Sequence, residues 1–149
     1  MVAALREVFP RDAGTNYFMA DDENQAGAAG FGPVSIFEIL ARLVKLSTLP
    51  PNWDSYSAKS ISSDSIAAAS QTLADLIGSG VAVPHLVPTS AGFVQAEWRR
   101  DQKYLELEFV SPVEIQMYYE DEVTGEEVEE ILDFDLSTLY RRTSEFLAL

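Results

Sequence analysis

The chain has no cysteine and only one histidine among its 149 residues. Without cysteine there are no disulfides, no thiolate metal sites and no thiol nucleophile. That fits a reducing compartment, and the chain reads as cytoplasmic. One imidazole and no thiol also exclude a zinc site built from nitrogen and sulfur ligands, so no transition metal and no cofactor is expected. A Ser-His-Asp triad would have to use His85. That residue lies between Pro84 and Pro88 at the start of a predicted strand, with no nucleophile motif around it, and reads as structural. No apolar run approaches the roughly 18 residues of a membrane-spanning helix, so no membrane partner is expected. Arg6, Glu7, Pro10, Arg11 and Asp12 break up the N-terminus before the apolar segment of a secretory signal could form.

Positive charge is scarce. Ten Lys and Arg stand against 24 Asp and Glu, for a formal net charge of −14. Such a surface repels nucleic acid and anionic membranes, and favours basic proteins or cations. The plain alternative is that acidity only keeps the protein in solution. Between Lys103 and Arg141 there is no basic residue, yet that stretch holds 12 of the 24 acids. Half the negative charge thus falls in about a quarter of the chain, which predicts a one-sided field.

The chain is 47% apolar and 11% aromatic, enough for a packed core. Its length matches one domain, which typically buries roughly 68–70% of the surface of the unfolded chain. Residues 1–32 carry Gly14, Gly27, Gly30 and Gly32 without sustained periodicity, and read as a loop-rich or partly disordered lead. Within it, Gly27-Ala28-Ala29-Gly30-Phe31-Gly32 superficially suggests a phosphate loop, but the Lys-Ser or Lys-Thr ending is missing. Residues 33–149 read as a single α+β domain.

Ser35 and Glu38 form a capping box for a first helix. Ile36, Ile39, Leu40, Leu43, Val44 and Leu46 make a stripe wide enough to predict burial on more than one side, and Pro50 and Pro51 end it. Ser62 or Ser63 caps a second helix whose stripe is Ile66, Ala69, Leu73, Leu76 and Ile77, with Gly78 or Gly80 as its stop. The period then changes to two. Phe93 to Trp98, Tyr104 to Phe109 and Val113 to Glu120 alternate apolar and polar residues across short links, the mark of antiparallel strands with one wet face. Val123-Thr124-Gly125-Glu126 reads as a hairpin turn into a fourth strand, although Val128, Ile131 and Leu132 fit a helix as well. Asp135 or Ser137 caps a last helix. The predicted architecture is α+β: an antiparallel meander of three to four strands packed against two to three helices.

Two features invite chemistry. Glu106 and Glu108 share one strand face about 7 Å apart, as a magnesium-assisted hydrolase would require. Phosphoryl chemistry also needs positive charge to hold substrate, and the acidic stretch after Lys103 holds none before Arg141. The second feature is the loop Leu49-Pro50-Pro51-Asn52-Trp53-Asp54-Ser55-Tyr56-Ser57-Ala58. Asn52, Trp53, Asp54 and Tyr56 form a candidate recognition loop. The competing reading is a rigid corner in which Trp53 and Tyr56 anchor the loop to the core.

That loop, the helix after it, and the run from Pro88 through Glu97-Trp98 to Leu105-Glu106-Leu107-Glu108 resemble a family of small uncharacterised bacterial proteins. Those proteins carry an N-W-D-G-Y-x-A turn, a helix, and G-G-x-x-x-E-W leading into an acidic strand. Ser55 and Ser57 stand where glycines are expected, and Ala91 stands for another. The resemblance covers roughly residues 49–110 and implies a shared fold, without supplying a function.

The expected role is a non-catalytic acidic protein-binding module. Its sharpest form is an antitoxin, immunity or phage anti-defence protein that neutralises a basic partner. The expected contact residues are Glu106, Glu108, Glu120, Asp121, Glu122, Glu126 and Glu127. The alternatives are an Asp/Glu-based metal-dependent hydrolase and a scaffold subunit of a larger complex.

Overall fold

A computed structural model describes residues 33–133 and 135–148. The expected loop-rich lead over residues 1–32 lies outside the described residues.

Helix α1 spans Pro33–Ser47. Ser35 lies within this span and not ahead of it, where the expected capping residue would stand. Ile39, Leu43 and Leu46 are buried, but Phe37 and Val44 are 69% and 63% exposed. The wide stripe is therefore buried along one side only. This corrects the expectation of burial on several sides: α1 packs chiefly on the next helix and on the first strand, and Phe37, Leu40 and Val44 on its outer side stay exposed.

Helix α2 spans Ser63–Gly78, and the Ser62 side chain accepts the Asp64 N–H at 3.2 Å as its N-cap. Its buried face is Ser65, Ala68, Ala69, Thr72, Leu73 and Leu76. Four of these six are small, which lets the helix sit close to the sheet. Gly80, in the left-handed region at φ +99, ends it, and the Val81 N–H reaches back to the Leu76 carbonyl at 3.0 Å.

Five strands follow: β1 (His85–Pro88), β2 (Val94–Arg100), β3 (Lys103–Ser111), β4 (Glu114–Asp121) and β5 (Glu126–Asp133). They form one sheet in the order β1-β2-β3-β4-β5, every neighbour antiparallel. The expected meander is present, and residues 126–133 are its last strand. The strand beyond the expected count is β1, a short edge that begins at His85. Helix α3 (Leu136–Ala148) closes the chain. Asp135 caps it, accepting from the Ser137 N–H and from the hydroxyls of Ser137 and Thr138. These donors hold its carboxyl below the ordinary range.

Strand parity decides the rest. Val94, Ala96, Trp98, Leu105, Leu107, Phe109, Ile115, Met117 and Leu132 all turn to the helix side and join Leu43, Leu73, Leu139 and Phe146 in one buried cluster. Ser65 ties helix to sheet, donating to the Phe109 carbonyl at 2.6 Å and accepting the Val94 N–H at 2.8 Å. Among the described residues, no helix is long and apolar enough to cross a membrane.

Candidate functional site

The opposite parity builds the open face of the sheet. Cross-strand register places Glu97, Glu106, Tyr118 and Glu129 in one row, and Gln95, Glu108, Gln116 and Ile131 in the next. Arg99, Tyr104, Glu120 and Glu127 make a third row. Glu114 lies at one end of β4. On these five strands Arg99 is the only Lys or Arg at an open-face position. His85 stands on the same face across from Glu97.

Four donors of this face bond acceptors along their own strands. Gln95 Nε2 donates to Glu97 Oε1 at 2.8 Å, and Tyr104 Oη to Glu106 Oε2 at 2.9 Å. Gln116 Nε2 donates to Glu114 Oε1 at 2.9 Å, and Tyr118 Oη to Glu120 Oε2 at 3.1 Å. Each bond joins residues two apart, which is how neighbours on one face of a strand meet. Burial, then the charges of Glu106 and Glu97, push the Tyr104 hydroxyl well above its usual range, so it stays a donor. The rings of Tyr104 and Tyr118 lie 6.3 Å apart at 58°.

Three acceptors are left over. Glu108 is only 6% exposed and receives no hydrogen bond or ion pair from a described residue. Burial, and after it the charge of Glu106, push its carboxyl up to about 7. Gln116 Oε1 and Glu129 Oε2 are buried without a hydrogen-bond partner. Glu108 is directly opposite Gln116, and Glu129 pairs with Tyr118, two residues further along β4.

The seven expected contact residues do not fall together. Glu106, Glu108, Glu120 and Glu127 lie on the open face. Asp121 has helix-side parity and is held in the β4–β5 turn, accepting the N–H groups of Val123 and Thr124 at 2.9 and 3.2 Å. The Thr124 N–H above all keeps its carboxyl below the ordinary range. Lys103 lies 3.8 Å from Asp121, and Arg99 3.3 Å from Glu122. Arg142 of α3 reaches Glu130 at 3.0 Å. No basic residue lies within that stretch, as its sequence says, but cations from outside it are brought to three of its acids by the β2–β3 turn and by α3. The field that remains lies in the middle of the open face. Glu97, Gln116 and Glu129, which are not among the expected contacts, lie there too. Their shared parity with Glu106 and Glu108 is the signal that finds them, once the strands are placed in register.

The loop after α1 divides the four candidate residues. Trp53 is buried and donates from Nε1 to the Lys59 carbonyl at 3.2 Å. Tyr56 is 87% exposed, so it does not anchor the loop to the core as expected. Asn52 Oδ1 accepts the Ser57 N–H, and Asp54 Oδ1 accepts the N–H groups of Tyr56 and Ala58. These bonds hold Asn52, Ser55 and Ser57 in the left-handed region at φ +62, +65 and +70. Ser55 and Ser57 thus keep the backbone expected of glycines, at a steric cost glycine would not incur. Gly92, at φ +94, meets the loop's exit. A Cβ there would lie 2.8 Å from the Ser60 carbonyl oxygen. Four residues separate Gly92 from Glu97, one more than in the G-G-x-x-x-E-W pattern.

Among the described residues, no group of three or more His, Cys, Asp or Glu side chains is placed to hold a metal ion. A shallow cleft of about 440 Å³ between α2 and α3 is lined by Asp75, Leu76, Ser79, Ser137 and Tyr140, and brings no catalytic pair together. No protein-family model, no curated protein and no solved structure matches the chain.

Proposed function

We propose that the protein is a non-catalytic binding module whose acidic sheet face engages a basic protein. The supporting observation is the composition of that face, where a single Arg or Lys position stands among seven glutamates on β2 to β5. Solubility alone accounts poorly for this placement. Glu97 is directly opposite Glu106, and Glu120 directly opposite Glu127. Like charges in such positions destabilise a sheet. Charge that served only solubility would carry no such cost if spread over helices and turns. A concentrated field instead accelerates and orients the approach of a basic surface. Neutralisation of a toxin, a nuclease or another nucleic-acid-binding protein is the biological setting that fits this chemistry, as in an antitoxin, immunity or anti-defence protein.

The test is capture of partners from the native host at low and high salt. A basic protein retained at low salt and released at high salt is the expected result. A variant with Glu120, Glu122, Glu126 and Glu127 changed to Gln should associate more slowly, with a flatter salt dependence. If it captures the same partner equally fast at every salt concentration, the reading fails.

A further inference from the structure

The centre of the open face is built for more than diffuse attraction. Four of its side-chain donors, on Gln95, Tyr104, Gln116 and Tyr118, point to Glu97, Glu106, Glu114 and Glu120. What remains at the β3–β4–β5 crossing is a set of acceptors: the buried oxygens Gln116 Oε1 and Glu129 Oε2, and the carboxyl of Glu108, a residue only 6% exposed with no donor beside it. Buried acceptors without donors cost free energy, and native proteins keep few of them. Three within two register steps, all lacking the same kind of partner, define the missing group as a donor carrying positive charge. Beside them, Tyr104 and Tyr118 offer ring surface to the stem of a long side chain.

We propose that this spot receives an arginine or lysine side chain from the basic protein partner, with Glu108, Gln116 and Glu129 accepting its N–H groups. The site rests on the binding reading given above and adds its anchor point. The raised carboxyl of Glu108 agrees with it, because a buried acid with no cation beside it holds its proton longer. A protein segment is favoured over a free polyamine because the acidic face extends over several strands, far beyond one cation, and so complements a basic surface.

The experiment measures binding of a labelled oligoarginine peptide to the full chain at low salt. It compares the parent with Glu108→Met, with Gln116→Met, with Glu129→Gln, and with the hairpin variant at Glu120, Glu122, Glu126 and Glu127. Glu108→Met should weaken equilibrium binding by about tenfold or more, the worth of one charge-assisted hydrogen bond, with the melting temperature held or raised. Gln116→Met and Glu129→Gln should weaken it less, and the hairpin variant should act chiefly on the association rate. Should Glu108→Met fail to fold, the other two single variants decide. Parent and hairpin variant binding with salt dependence while all central variants bind as the parent does would overturn the anchor and leave the binding reading intact. No binding of the peptide by the parent at any salt would overturn both. Spermine binding with the same dependence on Glu108, and as tightly as the peptide, would make the occupant a small polyamine and overturn the assignment to a protein.

Discussion

The two faces of one sheet obey opposite rules. On the helix side, Val94, Ala96, Leu107, Phe109 and Ile115 are fully buried. The polar atoms that enter that side through Ser65 and the Trp98 indole find backbone partners, and only the Thr72 hydroxyl of the buried α2 face is left without one. On the open side, carboxylates face carboxylates across strands, two buried oxygens, Gln116 Oε1 and Glu129 Oε2, find no donor, and the carboxyl of the largely buried Glu108 finds none either. The same five strands carry both faces, so the difference is not one of backbone quality. The first face is what makes the chain fold. The second opposes folding through like-charge contact and desolvation, which is why it is the place to look for function.

The covered face breaks most easily at its aromatic residues. Trp98→Ala and Trp53→Ala should each cost about 3–5 kcal/mol by chemical denaturation, the usual result of deleting a buried large ring. If Trp53→Ala leaves stability unchanged and abolishes partner capture, the loop is a recognition element instead of a corner. Gly92→Ala strikes the junction of loop and sheet. It combines a left-handed backbone with a Cβ 2.8 Å from the Ser60 carbonyl, and should lower stability by about 3 kcal/mol. A loss under about 1 kcal/mol would show that the loop shifts freely.

The open face sharpens the comparison in the opposite direction, because removing a charge there should help the fold. Glu108 has its carboxyl raised from the ordinary 4.5 to about 7, so the folded state holds this proton more tightly than the unfolded state. The stability it contributes is complete below pH 4.5 and is lost as pH rises through 7. Glu108→Gln should therefore match the parent in acid and exceed it above neutrality, by on the order of 1–3 kcal/mol. Equal stability of the two proteins from acid to alkaline pH would show that the carboxyl is well solvated. The smallest effect belongs to the loop. Ser55→Gly should stabilise by no more than about 1 kcal/mol, the steric relief at φ +65 offset by the greater freedom of glycine in the unfolded chain. A loss of stability there would mean that the serine makes a compensating contact.

Much of the fold was legible in the order of residues. Alternation over Leu105, Leu107 and Phe109 against Tyr104, Glu106 and Glu108 identifies a strand and assigns its faces, since successive side chains point to opposite sides. Ser62, Asp64 and the small-residue stripe of α2 identify a helix that packs closely. Helix α1 was legible as an element but not in its burial, because Phe37 and Val44 look like core until it is known what lies across from them. Tyr56 failed for the same reason: an aromatic residue beside Trp53 looks like an anchor, but hydrogen bonds from Asn52 and Asp54 turn the loop so that one ring goes in and the other out.

By itself the sequence determined the class of the fold, the parity of the three middle strands and the excess of acid after Lys103. These follow from local periodicity and from counting, which need no knowledge of distant neighbours. Only the tertiary structure decided which acids are spent and which are left. Arg99 and Lys103 reach Glu122 and Asp121 because the β2–β3 and β4–β5 turns share one end of the sheet, and Arg142 reaches Glu130 because α3 folds back over the helix side. Glu106 and Glu108 are two residues apart and look alike in sequence, yet Tyr104 serves the first while the second is buried opposite an amide whose own donor is turned to Glu114. Burial and hydrogen-bond supply at one position depend on residues from three strands at once, and that is information which a reading along one strand does not contain.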